Sequence, residues 1–388
     1  MKLVFVSNYF NHHQKALCER LYARLGEDFV FLATKAMKEE RRKLGYEIGE
    51  LPKYVVCAYD LEKEGDRCTK LIDAADAVII GSAPEFLVKN RKNAGKLILR
   101  YSERPFKNGF SYLAYLPRFF KWHLESPYNK PIYMLCASAY TASDYSRFLM
   151  YRGRTFKWGY FPEVKKCNID NVISSKEENS ILWCGRFIDW KHPDDAIEAI
   201  KRLVQKGYSP KVKFIGTGEM EDSLKAKVDE FGISNHVEFL GSMSPEKVRE
   251  HMEKAKIYLI TSDFKEGWGA VVNEAMASGC ALVASHGAGA VPFLIKNEEN
   301  GLVYESGNLD DLTTRIESLL KNPSYSERLG KNGYETISRL WNAEVAADRL
   351  LELINGILTG ISVDFKTGPC SFSQPIKNDW IRKINGRK

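Results

Sequence analysis

Two glutamates on either side of a glycine-rich turn are the residues of this sequence best suited to chemistry. Glu266 and Glu274 stand eight positions apart in KEGWGAVVNEAM, where a Gly-Trp-Gly turn leads into a helical pattern. Free backbone N–H groups at a helix start favour an anion, and carboxylates accept hydrogen bonds from sugar hydroxyls. One phosphate site flanked by two such acceptors suits a nucleotide-sugar, whereas two solvated glutamates on a strand–loop–helix unit are the alternative. The expected anion site is formed by the backbone of Gly267, Gly269 and Ala270.

A second set of candidates lies in WCGRFIDWKHPDD, where two cations follow a predicted strand. Arg186 comes directly after the strand and Lys191 lies five positions further on, in the loop before a helix. Pro193 and the acidic residues after it mark the first turn of that helix, which Gly207 ends. An arginine offers a planar fork of donors and a lysine a point charge, so together they can clamp a diphosphate. Surface salt bridges are the alternative role for both.

These candidates need strands that end beside one another, and the sequence predicts two groups of such strands. Short apolar runs alternate with helical patterns, and the runs are apolar throughout rather than at every second position. That pattern is typical of parallel sheets covered by helices on both faces. The predicted strands are KLVFV (2–6), FVFLA (29–33), YVVCA (54–58), AVIIG (77–81), KLILRY (96–101), IYMLCA (132–137), ILWCG (181–185), VKFIG (212–216), VEFLG (237–241), IYLIT (257–261), ALVAS (281–285) and GLVY (301–304).

Two strand groups in tandem predict an α/β protein of two Rossmann-like, doubly wound domains facing a central cleft. Ligands in such sheets bind beyond the carboxyl ends of the strands. We expect domains over residues 1–160 and 161–340, and helices over 341–388 that pack back toward the first domain. The polar, turn-rich stretch 159–180 is interpreted as the linker between the domains.

The composition indicates a globular protein with an uneven charge. The first 160 residues carry 27 basic against 17 acidic side chains, although the formal net charge of all 388 residues is only +7. A basic front half suggests an anionic partner, namely a membrane surface, an acidic acceptor or nucleic acid, with ordinary solvation as the alternative. Eight cysteines without a CxxC pair indicate reduced thiols in a cytoplasmic protein. The N-terminal MKLVFVSNYF is interpreted as a first strand, not a signal peptide.

Five motifs occur in order across residues 181–322: GRFIDWKHPDDAI, FIGTGEMEDSLKAK, VEFLGSMSPEKVREHMEKAKIYLITS, KEGWGAVVNEAMASGCALVAS and NGLVYESGNLDDL. Together they resemble the retaining glycosyltransferases of family 4, which have the GT-B fold, and the E-x7-E signature of that family is intact. The resemblance implies that Glu274 holds the nucleotide ribose and that Glu266 contacts the transferred sugar. It also implies that Arg186 and Lys191 hold the pyrophosphate.

The N-terminal half departs from the pattern of the family. The loop SNYFNHHQ (7–14) stands where many relatives have a Gly-Gly turn, and LRYSERPF (99–106) where many have a histidine near the donor sugar. Glu103 or Ser102 is the candidate for the place of that histidine, and we take Glu103 as a catalytic candidate together with Glu266. Three histidines are further candidates for contacts with the acceptor or the cleft, with a structural role as the alternative: His12, His13 and His123.

The resemblance implies transfer of a sugar with retention from a nucleotide-sugar, with a UDP-sugar as the expected donor. The acceptor would be a hydroxyl of a glycan or a lipid-linked molecule, as in bacterial surface polysaccharide or lipopolysaccharide synthesis. Residues 1–160 would bind this acceptor and residues 161–340 the donor. No D-x-D tripeptide occurs in the chain, so we expect the two cations to replace a divalent metal. The nucleotide-sugar is a substrate, and no cofactor is expected.

Other interpretations remain open at the level of sequence. A nucleotide-sugar epimerase of the same fold would share the donor site and need no acceptor. A nucleic-acid-binding protein would explain the basic front half, but no recognition motif is present and the basic residues are dispersed among acids. A non-catalytic scaffold is the third alternative, and the intact pairs of carboxylates and cations argue against it.

The stretch FSYLAYLPRFFKW (110–122) suggests where the protein works. Aromatic and leucine side chains are interleaved with basic ones, as in segments that lie at a membrane interface. Pro117 is expected to interrupt the helix and bend it. We therefore expect a cytoplasmic protein that can contact the inner face of the cell membrane. Packing of these rings into the N-terminal domain, or stacking on sugars, is the alternative.

Overall fold

The computed structural model describes residues 1–37, 39 and 49–384, with the side chains of residues 383 and 384 left aside. Contacts divide the chain into two compact units. The first unit comprises Met1–Glu163 and Asn342–Lys377, and the second comprises Val164–Trp341 and the segment from Asn378. The chain therefore leaves the first unit, builds most of the second, and returns.

The first unit is built around a seven-stranded sheet in the order β3-β2-β1-β4-β5-β6-β7, in which every described pairing is parallel. Its strands are β1 (Leu3–Ser7), β2 (Phe29–Ala33), β3 (Val55–Cys57), β4 (Ala77–Ile80), β5 (Ile98–Ser102), β6 (Ile132–Cys136) and β7 (Thr155–Lys157). Within the described residues, the α-helices before residue 163 are α1 (His12–Leu25), α2 (Leu61–Ala74), α3 (Lys89–Asn93), α4 (Tyr115–Glu125) and α5 (Thr141–Ser146).

The second unit is built around a six-stranded parallel sheet in the order β10-β9-β8-β11-β12-β13. Its strands are β8 (Ser180–Cys184), β9 (Lys211–Ile215), β10 (Val237–Phe239), β11 (Ile257–Ile260), β12 (Ala281–Ser285) and β13 (Leu302–Tyr304). Its helices before residue 341 are α6 (Ile169–Ser174), α7 (Pro193–Gln205), α8 (Glu221–Glu230), α9 (Pro245–Lys254), α10 (Ala270–Ala277), α11 (Val291–Leu294), α12 (Leu309–Lys321) and α13 (Pro323–Arg339).

Two elements follow residue 341 and belong to different units. Helix α14 (Ala343–Thr359) packs against α1 in the first unit, where Arg24 pairs with Glu344 and Asp348. Helix α15 (Trp380–Ile384) lies in the second unit. The carbonyl of Asn378, just before α15, lies 2.8 Å from Nε2 of the buried imidazole of His286.

The predicted fold class, two Rossmann-like α/β domains, is confirmed, and all twelve predicted strands are present. Strands β1 and β12 are buried along their whole length, which explains why their sequences show no alternation. One strand was not predicted: β7 is only three residues long and mixes polar with apolar side chains.

The prediction that 159–180 is only a linker is wrong. Helix α6 lies within it, capped by the side chain of Asn168, which accepts from the N–H groups of Asp170 and Asn171. Ile173 on this helix is buried. The buried ammonium of Lys176, just after the helix, donates to four backbone carbonyls. Residues 164–180 of the stretch are therefore part of the second unit rather than a spacer, and residues 159–163 belong to the first unit.

The prediction that Pro117 bends a helix is also wrong. Helix α4 begins at Tyr115, so the proline is its third residue. The N–H groups of the first turn have no partner within a helix, so a proline there removes no hydrogen bond of the helical ladder. Among the described residues, no helix is both long and apolar enough to cross a membrane.

Candidate functional site

The candidate residues of the second unit lie after two adjacent strands, β8 and β11. Arg186 and Lys191 follow β8, and Glu266 follows β11, its neighbour in the sheet. Because the strands are parallel, their carboxyl ends meet at one edge of the sheet, where ligands of such folds bind.

Lys191 and Glu266 form an ion pair, which the sequence did not predict. The ammonium nitrogen lies 2.6 Å from Oε2 of Glu266, and the side chains are only 14% and 13% exposed. The hydroxyl of Ser262 donates to the same carboxylate oxygen over 3.2 Å. From sequence, Lys191 was assigned to the diphosphate and Glu266 to the sugar. In this structure the two side chains bind each other.

Hydrogen bonds fix the loop of Lys191 to the loop that follows β11. The hydroxyl of Thr261 donates to the backbone carbonyl of Lys191 over 2.6 Å, and it accepts from the indole N–H of Trp183 over 2.9 Å. The N–H of Asp263 donates to the carbonyl of Trp190 over 3.0 Å. The loop that carries Lys191 and the loop that carries Glu266 are therefore hydrogen-bonded to each other.

Arg186 is exposed and stands apart from the ion pair. Its guanidinium carbon lies 5.8 Å from the centre of the Trp190 ring, and the ammonium of Lys191 lies 4.9 Å from the same ring. Within the described parts of the chain, no carboxylate is within salt-bridge distance of Arg186. Both cations thus lie near the indole, and the guanidinium can reach an anionic ligand without first losing an ion-pair partner.

The start of helix α10 forms an anion-binding geometry. Gly269, the residue before the helix, has φ +87° and ψ +69°, a left-handed conformation that favours glycine. Among the described residues, no side chain caps this helix, and the N–H of Val272 donates to the carbonyl of Gly269 over 2.9 Å. The two N–H groups before it, those of Ala270 and Val271, therefore suit a ligand. Trp268 before it is fully buried, and its indole N–H donates to Asn273 over 2.8 Å. The buried Trp268 therefore anchors the turn to helix α10 through this hydrogen bond.

Glu274 lies one turn into helix α10 and is half-buried. Desolvation raises the pKa of its carboxyl to about 7, and the charge of Arg249 opposes this shift. Burial raises the pKa of the Cys184 thiol, at the end of β8, to about 12, and the negative charge of Glu274 adds to that rise. The carboxyl therefore lies near the end of β8, and near neutral pH it can both donate and accept hydrogen bonds.

Glycines let the neighbouring loops pack backbone against backbone. A Cβ on Gly216 would lie 1.9 Å from the carbonyl oxygen of Gly185, and one on Gly218 would lie 2.4 Å from that of Phe187. A Cβ on Gly287, after β12, would lie 2.9 Å from the carbonyl carbon of Asp263. Side chains are excluded at these positions. The glycines of FIGTG and of the loop after β12 therefore have a structural role.

One group of possible metal ligands occurs in the part of the chain that the structure describes. The ligand atoms of His192, Asp194 and Asp195 all lie within 4.8 Å of one another, at the start of α7. Nε2 of His192 also lies 3.5 Å from the Asp263 carboxylate. Acidic residues in a first turn are favoured by the helix dipole, which accounts for this trio without a metal.

The first unit brings several of its candidates together at the carboxyl ends of β1 and β5. The imidazole rings of His12 and His13 have centres 3.9 Å apart, and His13 stacks on Tyr160 at 5.6 Å with an interplanar angle of 10°. The phenol of Tyr160 donates to Oε1 of Glu103 over 2.6 Å, and Lys107 pairs with the other carboxylate oxygen. Tyr160 was missed, because an aromatic residue in the loop GYF has no distinguishing sequence signal.

Two other candidates of the first unit have structural partners. Nε2 of His123 lies 2.9 Å from the carbonyl of Phe148, and its ring packs on Phe119 at 4.2 Å. The hydroxyl of Ser102 donates to the carbonyl of Glu103 over 2.6 Å. Of the two candidates for the place of the missing histidine, it is therefore Glu103 whose side chain joins the histidines and Tyr160.

The sequence is similar to known glycosyltransferases over about half of its length. It is 28% identical over 188 residues to a protein of Haemophilus influenzae named an uncharacterized glycosyltransferase, which covers 48% of this chain and 51% of the relative. It is also 28% identical over 176 residues to the lipopolysaccharide core biosynthesis glycosyltransferase LpsE of Rhizobium meliloti, covering 45% and 49%. The chain thus matches about half the length of these curated relatives.

The fold is shared with a solved structure along nearly the whole chain. The crystal structure of Anabaena Alr3699/HepE in complex with UDP aligns with a TM-score of 0.67 at 14% identity, covering 92% of this chain and all of that one. Residues 166–336 match the model of the family described as glycosyl transferases group 1. These residues contain both candidate glutamates and both candidate cations, so this part of the chain is similar to the glycosyl transferases group 1 family.

Proposed function

We propose that this protein is a retaining glycosyltransferase of family 4 that needs no metal. It transfers a sugar from a nucleotide-sugar, with a UDP-sugar as the first choice, to a hydroxyl of a glycan or lipid-linked acceptor. The observation that carries the proposal is the ion pair of Lys191 and Glu266, which lies in the loops beside Arg186 and the start of α10. Charges of both signs beside free N–H groups suit a ligand that has a diphosphate next to a polyol.

In this proposal each residue has one role. The backbone of Gly267, Gly269 and Ala270 binds the diphosphate, and Arg186 adds a planar fork of donors. Glu274 accepts hydrogen bonds from the ribose hydroxyls. Glu266 contacts the transferred sugar and Lys191 the diphosphate, so donor binding separates the ion pair seen here.

The reaction breaks the bond between the anomeric carbon of the sugar and a diphosphate oxygen. A bond from the acceptor oxygen to that carbon forms on the same face, through an oxocarbenium-like state. The proton of the acceptor hydroxyl passes to the departing diphosphate. The chain supplies cations and N–H groups placed where negative charge grows on the leaving group, which lowers the barrier by electrostatic preorganisation.

The first unit is proposed to bind the acceptor. Its cluster of His13, Tyr160 and Glu103 offers aromatic faces for a sugar ring and a carboxylate for its hydroxyls. Glu103 keeps the proposed catalytic role, with its orientation fixed by the phenol of Tyr160.

Names of similar proteins support the choice of donor and pathway. The LpsE relative is named for lipopolysaccharide core biosynthesis, and another relative, CapM of Staphylococcus aureus, for capsular polysaccharide biosynthesis. Structures of HepE exist in complex with UDP, with UDP and glucose, and with UDP-glucose. We accordingly propose a cytoplasmic enzyme of bacterial surface polysaccharide synthesis, with no nucleic-acid partner.

A screen of nucleotide-sugars tests the proposal. The purified protein is heated with each of several UDP-, GDP- and ADP-sugars, and the stabilising donor is then incubated with glycan and lipid-linked acceptors, with and without EDTA. We expect release of the nucleoside diphosphate to require an acceptor, to survive EDTA, and to give an α-linked product from an α-linked donor. Release without acceptor and an inverted hydroxyl in the recovered nucleotide-sugar would favour the epimerase instead. Activity lost in EDTA and restored by manganese would contradict metal independence.

A further inference from the structure

Helix α4 has two apolar faces, and the first packs inward. Tyr115 and Trp122 each lie 4.7 Å, between ring centres, from Phe148, which is fully buried in the core of the first unit. Phe119 packs against the same core. For these three residues of the 110–122 stretch, the alternative of packing into the N-terminal domain is therefore correct. Their rings are not available to a partner.

The second face carries no protein contact that would bury it. Five large side chains on this face and in the turn before the helix are mostly exposed: Tyr112 (86%), Leu113 (95%), Leu116 (64%), Phe120 (63%) and Leu124 (72%). The last four recur every three or four positions and therefore form one stripe along the helix. Single exposed apolar residues are ordinary, but a continuous stripe of this kind marks an interaction surface.

The loop 147–154 runs beside α4 along its whole length. The phenol of Tyr115 donates to the carbonyl of Arg147, the ring of His123 contacts the next carbonyl, and Tyr151 donates to Ser126 beyond the end of the helix. The loop adds one further exposed apolar side chain, Leu149, at 52% exposure. We call the exposed stripe and the exposed residues of this loop the α4 surface.

The charges around the α4 surface are almost all positive. Residues 106–130 contain four basic side chains and one acidic one, and residues 147–154 contain three arginines and no acid. Lys121, Arg147 and Arg152 are exposed. The single acid, Glu125, is half-buried and lies 3.8 Å from the Lys121 ammonium. An apolar stripe with a basic border fits a partner that is apolar inside and anionic at its surface.

We propose that the α4 surface docks on an anionic lipid membrane, with the stripe in the headgroup–acyl boundary and the cations against lipid phosphates. Aromatic and leucine side chains beside cations are the composition of such interfacial helices. A second copy of the chain would bring the same positive border against itself, which the charge disfavours. The proposal is independent of the proposed function, because docking needs neither donor nor acceptor.

Flotation with liposomes tests the proposal. We expect the protein to float with vesicles of phosphatidylglycerol and phosphatidylcholine at low salt, to be released at high salt, and to ignore pure phosphatidylcholine. The double variant Leu113→Glu/Phe120→Glu should lower the partition coefficient at least about tenfold, because it removes two apolar side chains and adds repulsive charge. Lys121→Gln and Arg152→Gln should each lower it about fivefold.

The matched control is Ile361→Glu, which alters an apolar side chain of the same unit that is 65% exposed and lies outside the α4 surface. It should float like the wild type. The proposal is overturned if the wild type stays in the soluble fraction, if neutral vesicles bind it equally well, or if the double variant floats unchanged. Sedimentation is run in parallel: a dimer that the double variant abolishes, without flotation of the wild type, would assign the surface to self-association instead. Circular dichroism confirms that each variant is folded.

Discussion

The ion pair of Lys191 and Glu266 links two roles that the sequence assigned separately. In the proposed mechanism a diphosphate competes with Glu266 for the ammonium, and the carboxylate released in this way accepts hydrogen bonds from the sugar. The ion pair compensates the charge of each side chain in a mostly buried position. Each of the two residues is therefore held in place by the other.

Loss of either cation should weaken the binding of UDP. Arg186→Ala and Lys191→Ala each remove a charge-assisted contact worth about 1.5–3 kcal/mol, so calorimetry should show at least a tenfold rise in Kd. Lys265→Ala is the matched control, because Lys265 lies in the neighbouring loop and its ammonium is 3.4 Å from Asp189. Unchanged affinity in both test variants would remove them from the diphosphate site. Glu266→Gln removes the charge that competes with the diphosphate for Lys191, so it should not weaken UDP binding, and it should lower the rate of transfer.

The raised pKa of Glu274 predicts how stability depends on pH. The folded carboxyl titrates at about 7 rather than at the ordinary 4.5, so between these values the folded state binds more protons than the unfolded state. The free energy of unfolding should therefore fall as pH rises through this window. Glu274→Gln lacks this titration, so its advantage over the wild type should be larger at pH 8 than at pH 5.

Urea unfolding at the two pH values measures this difference. The control is Glu62→Gln, a change at an exposed glutamate of α2, which should give the same small difference at both. An equal effect of Glu274→Gln at pH 5 and pH 8 would show that its carboxyl is not desolvated.

The sequence identified candidate site residues in the second unit but not the contacts between them. Glu266 and Lys191 are 75 positions apart, and only the register of β8 beside β11 brings their loops together. The partner of Glu103 lies 57 positions away, because Tyr160 follows β7 and Glu103 follows β5. Such pairings depend on the order of strands in a sheet, which no local pattern encodes.

At the level of elements, the turn before α10 should be sensitive to a single methyl group. Gly269→Ala puts a Cβ on a left-handed residue, which costs about 1–2 kcal/mol, and that Cβ would lie 3.4 Å from Cγ of Glu266. We expect lower stability in denaturant and weaker UDP binding, because the helix start and the carboxylate must both shift.

Gly307→Ala is the control for Gly269→Ala. Gly307 also has a left-handed backbone, with φ +78°, but a Cβ there has no atom within 4 Å. It should cost similar stability and leave UDP affinity unchanged. If both variants bind UDP equally well, the turn before α10 does not hold the diphosphate.

Helices and strands were predictable where the residues that are buried are also the apolar ones. The strands of both sheets read as continuous apolar runs because helices cover them, and the first-turn signals of Pro193, Asp194 and Asp195 located α7. Helix α6 was missed because IDNVIS is short and polar, and its capping by Asn168 looks like a loop in sequence. In α4 the apolar residues were recognised, but which of them face the core depends on tertiary packing.

For the whole molecule, the return of the chain to the first unit predicts the effect of a truncation. Helix α14 buries Leu350, Leu353 and Ile354, and burial of such side chains is worth about 1.5–3 kcal/mol each. The sum is comparable to the total stability of a domain. A chain that ends at Trp341 should therefore lose the folded first unit, as seen by rapid proteolysis within residues 1–163.

Removal of only the segment from Asn378 is the comparison for that truncation. It deletes the carbonyl that contacts His286 and the ion pair of Arg382 with Glu305, all in the second unit. The first unit should remain resistant to protease. Equal resistance of residues 1–163 in both truncated chains would show that α14 is dispensable.

The discontinuous first unit also sets an order of events on the ribosome. Its sheet is the first part to be synthesised, yet α14 emerges only after the whole 164–341 segment of the second unit. At about 5–20 residues per second, the nascent sheet waits roughly ten to forty seconds with the side of α1 that receives α14 uncovered. During that interval the core of the second unit can close while the first unit still lacks α14. The first unit is thus begun before the second and completed only after most of the second has been made.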